Sequence, residues 1–115
     1  MGKYGNKRVE ADGYKFDSIA ERDRYYQLKL MQQAGGISGL RVHPTYTLQE
    51  KFKDRTGKWQ RAIAYEADFE YTHEGELVAE DVKGHSTEVF KLKKKLFLAK
   101  YPTIDLRIVS VSYRG

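Results

Sequence analysis

One short segment in the second half of the chain, Glu80 to Gly84, contains residue types that could support metal-dependent hydrolysis. Asp81 and Lys83 are two residues apart in a strand-like run, so their side chains point to the same face. A carboxylate beside an ammonium group can bind a divalent cation and orient a water molecule. Asp68 lies in an earlier strand-like run, and Glu21 lies in the first turn of the first predicted helix.

Acidic residues are concentrated around this segment. Residues 66–81 contain seven of the 16 acidic residues and no lysine or arginine. A metal-dependent enzyme needs such a region, because Mg²⁺ takes oxygen ligands and bridges the protein to a phosphate. The alternative is a hairpin with a solvated polar face.

Hydrophobic periodicity and turn residues predict the elements that position these residues. Asp12-Gly13 predicts the turn of a hairpin, Gly35-Gly36 ends the first helix, and Pro44 interrupts a strand. The predicted elements are a hairpin over Val9–Phe16, a helix from Asp17 or Ser18 to about Ala34, strands over 40–49, 59–71 and 76–83 with a hairpin tip at 51–58, a helix from Ser86 or Thr87 to about Lys100, and a last strand over 103–111.

The alternation of side chains predicts which faces are buried. The strand over 76–83 is apolar on both faces, so we expect it to be central. The strand over 59–71 is expected to bury Ile63, Tyr65, Ala67, Phe69 and Tyr71, and to turn Ala62, Ala64, Glu66, Asp68 and Glu70 to a cleft or to solvent. The second helix is expected to bury Val89, Leu92, Leu96 and Ala99.

The order of elements predicts an α/β (α+β) fold. The first three strands form an antiparallel meander, and the second helix makes a crossover to a parallel last strand. The result is a mixed sheet of about four strands flanked by two helices (αβββαβ), preceded by the hairpin. A chain of 115 residues predicts one domain over 1–115, with residues 1–8 as a flexible basic arm.

Composition narrows the class of protein and its partners. Hydrophobic residues make up 40% and charged residues 32%, which is typical of a soluble globular domain. The net charge of +5 indicates a nucleic-acid partner or ordinary basic solubility. The absence of cysteine excludes disulfides and thiolate metal sites. With no signal-peptide pattern and no membrane-length apolar run, we expect a cytoplasmic protein.

Basic side chains supply candidate contacts to phosphates. The second helix carries clustered lysines with Glu88 as its only acid, and solvated lysine stems are the alternative. The terminal arm could bind phosphates or simply fray. The histidines at 43, 73 and 85 show no metal-ligand spacing. The predicted nucleic-acid contacts are Lys3, Lys7, Arg8, His85, Lys91, Lys93, Lys94 and Lys95.

The order of the candidate residues resembles the PD-(D/E)xK nuclease superfamily. An acid on a helix, Glu21, is followed by an acid on a strand, Asp68, and then by Asp-x-Lys on the next strand, which precedes a helix. The stretches 3–7, 67–69 and 80–84 look most like a family of small phage and prophage proteins related to Holliday junction resolvases. The resemblance implies a restriction-endonuclease-like core. This sequence has Ala67 before Asp68 where the motif often has proline, and Asp81 where many members have glutamate.

The resemblance also implies roles for the candidate residues. Asp68, Asp81 and the backbone carbonyl of Val82 would bind Mg²⁺ or Mn²⁺, and Lys83 would orient a water or stabilise developing charge. Glu21 would complete the metal site. A structural role for Glu21 is equally open, since Ser18-x-x-Glu21 is a capping-box pattern.

The function that follows from the resemblance is a metal-dependent DNA endonuclease. Small junction-resolving relatives imply branched DNA as the substrate, a homodimer, and the host-cell cytoplasm if the protein is phage-encoded. Two alternatives from other classes remain at this point: a catalytically inactive nucleic-acid-binding accessory protein, and a phage structural or assembly protein.

Overall fold

The computed structural model describes residues 8–82 and 86–110. Their order of elements matches the predicted one, with additional short strands. In chain order they are β1 (Val9–Ala11), β2 (Tyr14–Phe16), α1 (Ile19–Gln33), β3 (Ser38–Val42), β4 (Thr45–Gln49), β5 (Phe52–Lys53), β6 (Trp59–Gln60), β7 (Ile63–Glu66), β8 (Phe69–His73), β9 (Glu76–Val82), α2 (Glu88–Lys100) and β10 (Asp105–Val109).

The predicted α+β fold with a mixed four-stranded sheet is confirmed. The sheet has the order β10-β9-β8-β3. β3 with β8 and β8 with β9 are antiparallel, as expected of a meander, whereas β9 and β10 are parallel and joined through α2. β9 is central in this sheet, and its two faces are covered by different cores, with Val78 in one and Ala79 in the other, which explains why its sequence is apolar on both faces.

The N-terminal hairpin and both helix starts follow their sequence signals. Asp12 and Gly13 both have positive φ, 53° and 84°, as a type I′ turn requires. α1 begins after Ser18, whose hydroxyl accepts a hydrogen bond from the Glu21 N–H at 3.1 Å. α2 begins after Thr87, whose hydroxyl accepts from the Phe90 N–H at 3.0 Å. Side-chain oxygens thus satisfy backbone donors at both N-termini.

A bend divides the long antiparallel ribbon formed by β3–β4 and β7–β8. On one strand His43 has φ 57° and Pro44 lacks an N–H; on the other, Ala67 and Asp68 lie between β7 and β8. Two hydrogen bonds tie the interruptions together, from His43 N to Asp68 O at 2.9 Å and from Ala67 N to Pro44 O at 3.0 Å. The predicted continuous strand over 59–71 is therefore wrong, because the chain breaks where its partner strand does.

Two hydrophobic cores cover the two faces of the sheet. The α1 face contains Phe16, Tyr25, Leu28, Phe69, Tyr71 and Val78, and the α2 face contains Tyr46, Tyr65, Ala67, Ala79 and Phe97. Four of the five predicted core residues of the 59–71 run are buried, whereas Ile63 is 37% exposed. Glu70 is also buried, contrary to prediction, because Arg41 and Tyr46 donate hydrogen bonds to its carboxylate.

The buried face of α2 differs from the predicted one. Phe97 is fully buried and packs against the rings of Tyr46 and Tyr65 at centroid distances of 5.0 and 5.5 Å. A buried aromatic ring contributes a large apolar area and specific ring contacts, so we attribute the rotation of α2 to Phe97. The predicted inner residues Val89, Leu92, Leu96 and Ala99 are exposed instead.

α1 also presents apolar side chains to solvent. Tyr25 and Leu28 are buried, while Ile19, Tyr26 and Leu30 are exposed. In the part of the chain that the structure describes, no helix combines the length and apolar character needed to cross a bilayer.

Candidate metal centre

Three side chains from separate parts of the fold meet at the bend. Glu21 comes from the first turn of α1, and His43 and Asp68 come from the opposed interruptions of the ribbon. One ligand atom from each lies within 4.8 Å of the other two. Two carboxylates and an imidazole at this spacing can share one metal ion.

Asp81 adds a further carboxylate at the end of β9. It is within hydrogen-bonding range of Asp68, and its Oδ2 accepts a hydrogen bond from the Tyr65 hydroxyl at 2.6 Å. Asp68 Oδ2 accepts from the Val82 N–H at 2.7 Å. The structure therefore brings together Asp68, Asp81 and Glu21, three of the four predicted catalytic residues.

The electrostatics of the cluster favour a bound cation. Burial, followed by the neighbouring Asp81 and Glu21, raises the pKa of Asp68 to about 9. Burial is also the main cause of the raised pKa of Glu21, with smaller contributions from Asp17 and Asp81. Among the described residues, no lysine or arginine forms an ion pair with these three carboxylates. Carboxylate oxygens are the ligands that divalent ions such as Mg²⁺ and Mn²⁺ prefer, and these side chains could hold one.

Glu21 takes part in both the helix cap and the cluster. Its Oε1 accepts a hydrogen bond from the Asp17 N–H at 3.3 Å, while its own N–H bonds to the Ser18 hydroxyl. This arrangement is a variant of the predicted capping box, in which the glutamate reaches one residue further back. The cap fixes the first turn of α1 and so holds the Glu21 carboxylate near Asp68.

A buried fork between Arg24 and Glu80 fixes the rotation of α1 against the sheet. Arg24 Nε and Nη2 donate to the two oxygens of Glu80 at 2.6 and 2.9 Å, and the Tyr71 hydroxyl donates to the same carboxylate at 2.5 Å. Glu80 is fully buried. Because residues three apart share a face of a helix, the fork that holds Arg24 also directs Glu21 toward the cluster.

The sequence offers two interpretations of the acidic region over 66–81, a metal-binding region and a solvated polar face, and the structure contains residues of both kinds. Asp68 and Asp81 lie in the cluster, whereas Glu66, Glu74 and Glu76 are solvent-exposed. Glu70 and Glu80 belong to neither group, since both are buried and paired with arginine.

Sequence reasoning missed two residues of the site. His43 shows no metal-ligand spacing in the sequence, yet the bend places it beside Glu21 and Asp68. The one available signal was the interruption at His43-Pro44, which separates this histidine from a regular strand. Tyr65 was correctly expected to be buried, but alternation cannot show that its hydroxyl reaches Asp81.

Several predicted residues lie outside the described part of the chain: Lys3, Lys7, Lys83 and His85. Val82 ends β9 next to Asp68. Arg8 is 82% exposed and lies 3.5 Å from the carboxylate of Asp17.

The four predicted phosphate-contacting lysines of α2 surround the helix. Lys91 and Lys95 are exposed, whereas Lys93 and Lys94 are half-buried. They therefore do not form a single stripe, although each ammonium group could still reach solvent along its flexible stem.

A mixed four-stranded sheet, two helices and a cluster of carboxylates with one imidazole define an α+β domain with a candidate metal centre. The chain belongs to the family described as Protein of unknown function (DUF1064), whose model matches residues 1–115. A search of curated proteins found no match, and a search of solved structures found none either.

Proposed function

We propose that this protein is a metal-dependent endodeoxyribonuclease of the PD-(D/E)xK type, which hydrolyses phosphodiester bonds in DNA. The observation that carries the proposal is the meeting of Glu21, His43 and Asp68 within 4.8 Å, with Asp81 beside them. These carboxylates come from a helix, from the bend and from the next strand, in the order that the superfamily resemblance implies.

Asp68 and Asp81 would hold Mg²⁺ or Mn²⁺, with Glu21, His43 and the Val82 carbonyl as further ligands. The bound ion would neutralise a phosphate oxygen and lower the pKa of a water molecule. The Tyr65 hydroxyl restrains Asp81 through its 2.6 Å hydrogen bond. Lys83, two residues beyond Asp81, would orient that water or stabilise developing negative charge.

We further propose that the enzyme acts as a homodimer on branched DNA in the cytoplasm, that of the host if the protein is phage-encoded. The exposed side of α2 supports dimerisation: Val89, Leu92 and Leu96 are 63%, 58% and 37% exposed. Spacings of three and four residues place them on one side of the helix. An exposed apolar strip of this kind is typical of an interaction surface.

The test is cleavage of a labelled four-way junction and a linear duplex of the same sequence. Each DNA is incubated with Mg²⁺, with Mn²⁺ and with chelator, using the wild-type protein and Asp81→Asn. Glu76→Gln serves as the control, because Glu76 is an exposed acid of the same acidic region but lies outside the cluster. We expect metal-dependent cleavage that Asp81→Asn abolishes and Glu76→Gln retains.

Other outcomes separate this proposal from its alternatives. Absence of cleavage with salt-sensitive DNA binding would support the accessory-protein hypothesis. Weak binding that is insensitive to salt would support a structural or assembly role. Equal cleavage of both DNAs would retain the nuclease and refute the preference for junctions.

A further inference from the structure

The distal hairpin, residues 49–63, presents basic and aromatic side chains away from the candidate metal centre. Within it, β5 and β6 pair only with each other. None of its residues is buried, and only Asp54 and Gln60 are half-buried. The hairpin thus extends from the β4–β7 ribbon without a hydrophobic core of its own.

The turn of the distal hairpin is held by Asp54. Its carboxylate accepts hydrogen bonds from the backbone N–H groups of Thr56 and Lys58, at 2.8 and 3.1 Å, and from the Gln60 side chain at 2.8 Å. The Thr56 hydroxyl also donates to this carboxylate, at 2.6 Å, and this bond, followed by those from Gln60 and the backbone, lowers the pKa of Asp54 to about 2. The turn is therefore fixed locally, and Asp54 has its hydrogen-bonding capacity committed within the hairpin.

Large apolar side chains are displayed on this polar segment. Trp59 is 57%, Phe52 44% and Ile63 37% exposed. They line an open cleft of about 700 Å³ together with Lys58 and Arg61. Exposure of a tryptophan and a phenylalanine on a hairpin without a core indicates that they contact something other than this domain.

The charge of the distal hairpin is strongly positive. It contains five basic residues against two acidic ones, Glu50 and Asp54, and Asp54 is engaged in the turn. The ammonium groups of Lys51 and Lys53 lie 5.1 and 5.4 Å from the ring centroid of Trp59, within the range of cation–π contacts. A ligand on the indole ring would meet these two positive charges.

We propose that the distal hairpin binds unpaired nucleotides of a nucleic acid, by stacking a base on Trp59 and holding the flanking phosphates with Lys51 and Lys53. Aromatic rings interleaved with cations suit single strands, because every base has a flat face and every nucleotide carries a phosphate. An anionic lipid surface could also attract tryptophan and lysine. The narrow, mostly polar hairpin offers too few apolar side chains to insert into a bilayer.

The distance along the ribbon relates this surface to the candidate metal centre. Trp59 precedes Asp68 by nine residues, which span at most ~30 Å in extended chain. That length corresponds to about nine base pairs of duplex. Binding by the hairpin does not depend on cleavage. If the proposed nuclease function holds, the substrate class becomes DNA with unpaired bases within about one helical turn of the cut.

Trp59 is the only tryptophan of the chain, so its fluorescence reports directly on the hairpin. The full chain is titrated in chelator, which prevents cleavage, with oligothymidylate, with a blunt duplex and with anionic phospholipid vesicles. We expect oligothymidylate to quench Trp59, and its affinity to fall as salt rises.

Variants are compared through the anisotropy of labelled oligothymidylate. Trp59→Ala should weaken binding about tenfold to a hundredfold, and Trp59→Phe should restore part of it. Lys51→Ala with Lys53→Ala should reduce the slope of log affinity against log salt by about 1.4. The matched control is Tyr26→Ala, since Tyr26 is 45% exposed on α1, outside the hairpin.

Wild-type affinity in Trp59→Ala, or oligothymidylate binding without a change in Trp59 fluorescence, would overturn the proposal. A blue shift of the Trp59 emission with vesicles, together with no change in that emission on adding DNA, would also overturn it and would assign the surface to lipid. If the wild type cleaves no DNA in Mg²⁺ or Mn²⁺ but oligothymidylate still quenches Trp59, only the nuclease function is refuted.

Discussion

Replacing Asp68 with asparagine should stabilise the metal-free protein although it removes a metal ligand. Burial, followed by the neighbouring Asp81 and Glu21, raises the pKa of Asp68 from 3.8 to about 9. Between these two values the folded chain binds a proton that the unfolded chain does not. Stability contributed by this group therefore falls as pH rises from about 4 to about 9.

The size of the effect at pH 7 follows from this linkage. Retaining a proton 3.2 pH units above the ordinary pKa of 3.8 costs about 4 kcal/mol, at about 1.4 kcal/mol per unit. Partial solvent access and relaxation of the side chains reduce this cost to about 2 kcal/mol. An amide is uncharged, its oxygen can still accept from the Val82 N–H, and its NH₂ group can donate to Asp81. We expect Asp68→Asn to recover about 2 kcal/mol, or roughly 7 °C in Tm.

The assay is urea and thermal unfolding of the wild type and Asp68→Asn in chelator at pH 4 and pH 7. The advantage of the variant should be present at pH 7 and mostly lost near pH 4, where about 40% of the unfolded carboxyl is protonated too. Adding Mn²⁺ should raise the stability of the wild type more than that of the variant. Glu50→Gln should show no such pH-dependent gain.

A variant less stable than the wild type at pH 7 in chelator would refute this reasoning, as would an advantage that is the same at both pH values. Either result would mean that burial and the neighbouring carboxylates do not keep Asp68 protonated. The cluster would then lack the electrostatic demand for a cation.

Three further predictions concern the fork, the imidazole and the exposed face of α2. Arg24→Met should destabilise the fold by about 3 kcal/mol in urea unfolding, because it leaves buried Glu80 without its cation, whereas Arg41→Met, whose side chain is 61% exposed, should cost at most about 1 kcal/mol. His43→Ala should weaken Mn²⁺ binding more than Mg²⁺ binding in calorimetric titrations, since imidazole is a better ligand for transition metals. Leu92→Glu should shift the protein from dimer to monomer in sedimentation without altering its circular dichroism.

Each of these predictions has a clear contrary result. Equal losses in the two arginine variants would show that burial of the fork adds nothing. Unchanged Mn²⁺ affinity in His43→Ala would remove the imidazole from the ligand set. A wild type that sediments only as a monomer would refute the homodimer.

Local sequence signals predicted most of the fold. The turn at Asp12-Gly13 and the caps at Ser18 and Thr87 depend on nearby backbone groups, so a short window contains the necessary information. The central position of β9 followed from apolar residues on both its faces. The parallel pairing of β9 with β10 followed from the intervening helix.

Features that depend on distant contacts were not predictable in this way. Spacing alone favoured Leu92 and Leu96 as the buried face of α2, but the ring of Phe97 fits between tyrosines from two strands far away in sequence. His43 reaches the candidate metal centre only because two interruptions, 24 residues apart at His43 and Ala67, face each other. Periodicity reports which side of an element is apolar, not which distant interruption lies opposite.

The alternation of β9 also makes the site sensitive to errors in strand register. Glu80 and Asp81 are consecutive, yet one is locked to Arg24 on the α1 face and the other lies beside Asp68. A slip of a single residue would exchange their faces, leave Arg24 without its carboxylate and place Asp81 in the core. Misaligned pairings of β9 are therefore disfavoured during folding. Glu80 and Asp81 together select the one register in which the candidate metal centre can form.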